Sequence, residues 1–169
     1  MRTSIRLVKL PLNVILLQGV DMMDITLEVQ AVYQQLIEAW NRRSASGMAE
    51  LFDEDGESIG FDGSQSIGAE EIFMHLNPIF EDHPTARFVS KVKSVQALSS
   101  DIVLLRAIAG MVPPQQSDIN PNVNTLHTLL VVRIDEKWRI KLFQNTPAQF
   151  HGRPELVKQM TEELRELLK

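Results

Sequence analysis

Apolar positions follow two different periods along this chain. Before residue 80 they recur at helical spacing, and from residue 86 to 146 they gather into long runs rich in Val, Ile, Leu and Phe. Val29, Val32, Tyr33, Leu36, Ile37 and Trp40 form one stripe. It predicts a helix that starts at Ile25, is capped by Asp24, and ends at Asn41, Arg42 and Arg43. Ser44 or Ser46 caps a short second helix over 47–52. Asp53-Glu54-Asp55-Gly56 reads as a turn, 57–61 as a short strand, and 65–67 as a strand returning after the Asp62-Gly63-Ser64 turn. Gly68 opens a third helix whose first turn holds Glu70 and Glu71, where the helix dipole favours negative charge. Its apolar positions are Ile72, Leu76 and Ile79 or Phe80, and Pro78 kinks it or ends it near Leu76.

The second half predicts four long strands, 87–98, 101–112, 122–134 and 138–146. Short hairpin turns at 99–101 and 135–137 join the first pair and the last pair. The middle connection, 112–124, is long and stiffened by Pro113, Pro114 and Pro121; it is expected to cover a pocket mouth or a partner subunit. Pro154 suits the first position of a last helix with Leu156, Met160, Leu164 and Leu167 as its stripe. Helices followed by long antiparallel strands make an α+β domain with helices on a curved sheet. Leu129, Leu130, Val131 and Val132 are all apolar, so both faces of that strand want burial, and helices cover one. A homodimer is therefore expected.

Composition narrows the function classes. A chain of 169 residues with 17 Lys+Arg against 22 Asp+Glu lacks the basic surface that nucleic acids require. Cysteine is absent, which excludes a disulfide framework, a thiolate nucleophile and a Cys-based metal site, and fits a cytoplasmic protein. His75, His83 and His151 show no metal-ligand spacing, and no phosphate loop or dinucleotide fingerprint is present, so neither metal nor cofactor is expected. Residues 1–22 hold Arg2, Arg6 and Lys9 ahead of an apolar run too short to span a membrane and without a good cleavage site. They read as a non-secretory extension, or as an arm that packs on a partner, ahead of a single domain over 23–169.

The order of several strings resembles a known superfamily. Ala39-Trp40-Asn41 precedes Leu51-Phe52-Asp53-Glu54-Asp55, then Gly68-Ala69-Glu70-Glu71-Ile72, then a late Trp138-Arg139-Ile140 strand. This order is similar to the NTF2-like superfamily, which includes ketosteroid isomerase, scytalone dehydratase and the SnoaL polyketide cyclases. Gly110-Met111-Val112-Pro113-Pro114, Phe143-Gln144-Asn145-Thr146-Pro147 and Phe150-His151-Gly152-Arg153-Pro154 resemble its SgcJ/EcaC-type branch. The resemblance covers about Met23 to Leu168. It implies an NTF2-like cone, a curved antiparallel sheet with helices packed on its concave face around a pocket, often dimeric. A small hydrophobic or polyketide-like ligand is implied, with cofactor-independent isomerase, cyclase or hydratase-type activity as one outcome. The other is an accessory or assembly module that acts through its sheet face, because fold alone does not fix chemistry.

Candidate site residues follow from this frame. The position of the family's general base falls near Gly60, which cannot move a proton; Asp62, two residues on, is either an acid/base group or a turn residue before Gly63. Tyr33 and His127 complete the catalytic candidates, Tyr33 as a hydrogen-bond donor and His127 as a neutral base, or each as a satisfied core group. Trp40, Arg106, Gln144 and Asn145 are the ligand-binding candidates, Arg106 with a solvent or interface alternative and the two amides with a turn-organising one. Hairpin register decides His127. A two-residue turn at Asp135-Glu136 sets it opposite Gln144, and a three-residue loop turns it to the other face.

Overall fold

The computed structural model describes residues 12–168, with side chains from residue 22 onward. Residues 1–11 of the expected extension lie outside the described residues. In chain order the elements are α1 (Leu12–Asn41), α2 (Ala45–Ala49), β1 (Phe52–Ile59), β2 (Gln65–Ile67), α3 (Gly68–Asp82), β3 (Arg87–Ala97), β4 (Ile102–Val112), β5 (Asn120–Ile134), β6 (Lys137–Pro147) and α4 (Pro154–Arg165). The strands form one curved, unclosed sheet in the order β2-β1-β6-β5-β4-β3. This is the expected α+β cone, with one correction to the all-antiparallel sheet: β1 runs parallel to β6.

Four local differences from the sequence reading have physical causes. First, α1 begins at Leu12, so Asp24 stands inside it and caps nothing; helical propensity carries the turns upstream of the packed stripe. Second, Asp53-Glu54-Asp55-Gly56 is irregular strand within β1. Lys141 reaches both Asp53, at 3.1 Å, and Asp55, and Gly56 lets the backbone of Ile140 approach, since a Cβ there would lie 2.4 Å from its carbonyl oxygen. Third, α3 does not end near Leu76 but continues past Pro78 to Asp82. Pro78 and Met74 are both exposed, so the Met74 carbonyl that loses its helical donor can turn to water. Fourth, the 113–119 connection packs on α4. Asp118 accepts two hydrogen bonds from the Arg165 guanidinium, each at 2.8 Å, and Ile119 is buried beside Met160 and Leu164.

The remaining elements start within two residues of the expected positions, with α2 at Ala45–Ala49 in place of 47–52. Gly68 sits at φ +79 with its Cα hydrogens against the Glu54 carbonyl, a place where a Cβ would come within 2.7 Å of oxygen. Ser44 caps α2 by accepting the Gly47 N–H at 3.1 Å. Trp40 and Asn41 fasten the end of α1 to the edge strand β3: the Trp40 indole N–H donates to the Ala86 carbonyl at 2.8 Å. The Asn41 side chain exchanges two hydrogen bonds with the Phe88 backbone, as a neighbouring strand would.

Strand alternation assigns the two sheet faces. Phe88, Val103, Leu105, Ala107, Ala109, Leu129, Val131 and Phe143 point inward and pack with Val29, Leu36, Ile72 and Phe80 of α1 and α3 as the main core. The outer face is covered only in part. There α4 seals Val89, Ile108 and Val112, which corrects the expectation that helices occupy the concave face alone. Beyond α4, Ile102 and Leu126 are exposed, and Leu104, Leu130 and Leu142 half-buried, around an exposed Arg106. The β5–β6 hairpin has a two-residue turn, Ile134 pairing with Lys137, but the register slips by one between Leu130 and Val131 because Lys141 bulges from β6. His127 therefore faces Asn145, not Gln144, and both point inward.

Candidate functional site

Small side chains leave a hollow in this core. Ser58 on β1, Gly60 after it and Ser66 on β2 face α3 where larger residues would fill the space, and a cavity of about 280 Å³ opens between α1, α2, α3 and the sheet. Its walls are apolar: Leu36, Ile37 and Trp40 from α1, Met48 from α2, and Ile72, Leu76 and Ile79 from α3. Phe88, Met111 and Phe143 close it from the sheet. Besides the hydroxyls of Ser58 and Ser66, polar groups enter at two places. Asn145 contributes a buried amide from β6. Asp62 and Ser64, from the turn after β1, and His75, from α3, line the wall with exposed or half-exposed side chains.

The Asn145 amide is oriented from behind. Its Oδ1 is held by the Thr125 hydroxyl, which also lies 2.8 Å from the Thr146 carbonyl. The Asn145 NH2 remains as a donor for a bound molecule. Asp62 is a turn residue in the cavity wall: its Oδ1 accepts the Ser64 N–H at 3.0 Å and its Oδ2 the Ser64 hydroxyl at 2.8 Å, which closes the turn. The backbone and then the side chain of Ser64 hold its carboxyl below the usual aspartate range, so it stays ionised.

Tyr33 and His127 are brought together, as a pair behind the cavity wall. The Tyr33 hydroxyl and His127 Nδ1 share a hydrogen bond of 2.9 Å, and the imidazole is wedged edge-on between Phe88 and Phe143, each ring 5.0 Å away. Both phenyl rings also line the cavity, so they stand between the pair and its interior. Burial pushes the His127 imidazole down to about 3 and the Tyr33 hydroxyl above its usual range, against a smaller opposing effect of the Ser90 hydroxyl. Both groups are neutral at pH 7 and neither lines the cavity. His127 Nε2 has no hydrogen-bond partner among the described residues.

The other candidates separate cleanly. Trp40 is in the cavity wall, edge-on to Phe80 with its indole N–H already used by Ala86. Arg106 and Gln144 are not: with Thr128 between them they form one row across the outer face, because the Lys141 bulge turns Asn145 inward and Gln144 out. The residue that sequence reasoning missed is His75. It was weighed only for metal spacing, yet Ile72, His75, Leu76 and Ile79 lie at i, i+3, i+4 and i+7, so the histidine belongs to the inward stripe of α3. Among the described residues no group of three His, Asp or Glu side chains is placed to hold a metal ion.

Comparison with known proteins gives this architecture its place. The family model of the SnoaL-like domain matches residues 29–145. The chain belongs to the SnoaL-like family. No curated protein matches it. Among solved structures, the SnoaL-like domain is similar to a domain of unknown function with a cystatin-like fold from Nostoc punctiforme. The TM-score is 0.69 and the identity 26%, over 82% of this chain and 88% of that one. An NTF-2 like protein of unknown function from Shewanella oneidensis follows at TM-score 0.56 and 19% identity, over 72% and 98%. A ketosteroid isomerase-like protein from Erwinia carotovora atroseptica matches at TM-score 0.57 and 15% identity, over 72% and 94%. At these identities the last two likenesses speak for the fold. Among the described residues no helix is long and apolar enough to cross a membrane.

Proposed function

We propose that this SnoaL-like protein binds a small, largely apolar organic molecule in the cavity between α1, α3 and the sheet. The observation that carries the reading is the cavity's construction: an apolar lumen, one oriented buried amide at Asn145, and ionisable groups confined to Asp62 and His75. Ligand pockets have this make-up, a hydrophobic body with a few placed polar groups. A polyketide-like ligand and cofactor-independent isomerase, cyclase or hydratase-type turnover, in an SgcJ/EcaC-type protein, form the finer part of the proposal. The fold shared with a ketosteroid isomerase-like protein supports the isomerase part alone. Asp62 and His75 are the cavity-lining side chains able to move a proton during such turnover, and the Tyr33–His127 pair supports the wall behind them.

Calorimetric titration with 1-naphthalenemethanol, a neutral probe of suitable size, tests the reading. Binding is expected in the native protein and should be abolished or greatly weakened by Ser66→Leu, which fills the lumen from β2. Absence of binding to the native chain, or equal binding to the filled variant, would refute it.

A second reading, an accessory module acting through its sheet face, rests on a separate observation. Ile102, Leu126, Leu104, Leu130 and Leu142 leave an apolar surface beside α4 that no element of the chain covers among the described residues. A homodimer through this face is part of the proposal and is compatible with a ligand-filled cavity on the other side of the sheet.

A further inference from the structure

We infer that the cavity selects an apolar molecule carrying a cationic head, an alkylammonium group, with a hydrogen-bond acceptor at its buried end. This rests on the ligand-binding reading above and adds the charge of the ligand to it. Three observations carry it. First, charge on the cavity wall is one-sided. Among the lining residues Asp62 is the one carboxylate, and no Lys or Arg accompanies it. His75 is the only other titratable side chain among them.

Second, Asp62 is fixed and committed to its ionised form. Ser64 holds both carboxylate oxygens through its N–H and its hydroxyl, and each oxygen keeps a lone pair for a further donor. Glu71 on α3 accepts the Ile67 N–H at 2.8 Å and does not line the cavity. Third, the polar groups differ in kind. Asn145 has its oxygen engaged by Thr125 and offers its NH2, so it recognises an acceptor such as a carbonyl or a phenol oxygen, while Asp62 recognises a donor. Between them the walls are apolar, with Trp40, Ile72, Leu76 and Ile79 among them, and Trp40 adds an aromatic ring. A carboxylate or phosphate ligand would find no Lys or Arg in the wall and would meet Asp62.

Three probes with the same ring test this: 1-naphthylmethylamine, 1-naphthalenemethanol and 1-naphthoate, cationic, neutral and anionic at pH 7. Calorimetry at low salt is expected to give the amine about fivefold over the alcohol, the size of an exposed ion pair, and the acid the weakest binding. The amine-to-alcohol ratio should fall to near unity in Asp62→Asn, which preserves the turn acceptor, and should shrink as salt is raised. Equal affinities in the native chain, or a preference that survives Asp62→Asn, would overturn the charge selection while leaving the cavity reading in place. Failure of all three probes to bind overturns the cavity reading, and this inference with it.

Discussion

Acid should unfold this protein in part through one residue. His127 is fully buried, and burial alone pushes its imidazole from 6.5 down to about 3. Its folded value lies below its unfolded value, so between these limits the unfolded chain binds a proton that the folded chain refuses. Stability therefore falls as pH drops through this window and is retained above it. With about 1.36 kcal/mol per unit, the loss between pH 7 and pH 4 comes to about 3 kcal/mol, a large share of a typical domain's stability. The assay is urea unfolding followed by circular dichroism at pH 7, 6, 5 and 4. With a slope near 2 kcal/mol per molar urea, the midpoint should drop by about 1.5 M more than in a chain without the imidazole.

The control chain is Tyr33→Phe/His127→Leu. Replacing both partners avoids stranding the Tyr33 hydroxyl, whose isolation alone would cost about 1–3 kcal/mol. Asp55, Asp62, Asp118 and Glu163 all have depressed carboxyls that also destabilise the fold when protonated, but they are present in both chains and cancel in the difference. Parallel pH profiles for the two chains would show that His127 does not titrate between the folded and unfolded states as argued. An imidazole proton spectrum showing His127 charged in the native state at pH 5 would refute the argument from the other side.

Two further outcomes are expected. Gly56→Ala forces a Cβ to within 2.4 Å of the Ile140 carbonyl oxygen, so β1 must move off β6; a loss of at least about 2 kcal/mol in urea unfolding is expected, and a neutral effect would contradict the close approach. Leu126→Glu with Leu130→Glu places two carboxylates on the uncovered outer face. If that face joins two copies, light scattering at micromolar concentration should report a dimer for the native chain and a monomer for the variant, and an unchanged mass would remove the outer face as the interface.

The strands were legible because long Val, Ile, Leu and Phe runs admit little else, and β3 to β6 fall within a residue or two of the expected ranges. Gly68, Pro154 and the Ser44 cap were legible for the same reason, each having few places to go. Composition misled at Asp53-Glu54-Asp55-Gly56. Its residues favour turns, and only the distant Lys141 and the Ile140 backbone make it a strand. The site was legible only in part: Trp40, Asp62 and Asn145 line the cavity, whereas Tyr33, His127, Arg106 and Gln144 do not and His75 was missed. Tyr33 with His127, and Asp62 with His75, are joined by tertiary approach across 94 and 13 positions, which no local period records.

Lys141 makes β6 one residue longer than the partner it pairs with. Residues before it keep the phase set by the hairpin turn, and residues after it are one step late. The chemistry at the buried end of the cavity is thus written partly in chain length. An insertion or loss of a single residue in this strand exchanges what is sheltered for what is displayed without altering any side chain. Counted from the turn, a relative with an unbroken β6 would shelter the residue in the place of Gln144 and display that of Asn145. A change in the length of this strand would therefore change the group offered to a ligand while every neighbouring residue kept its identity.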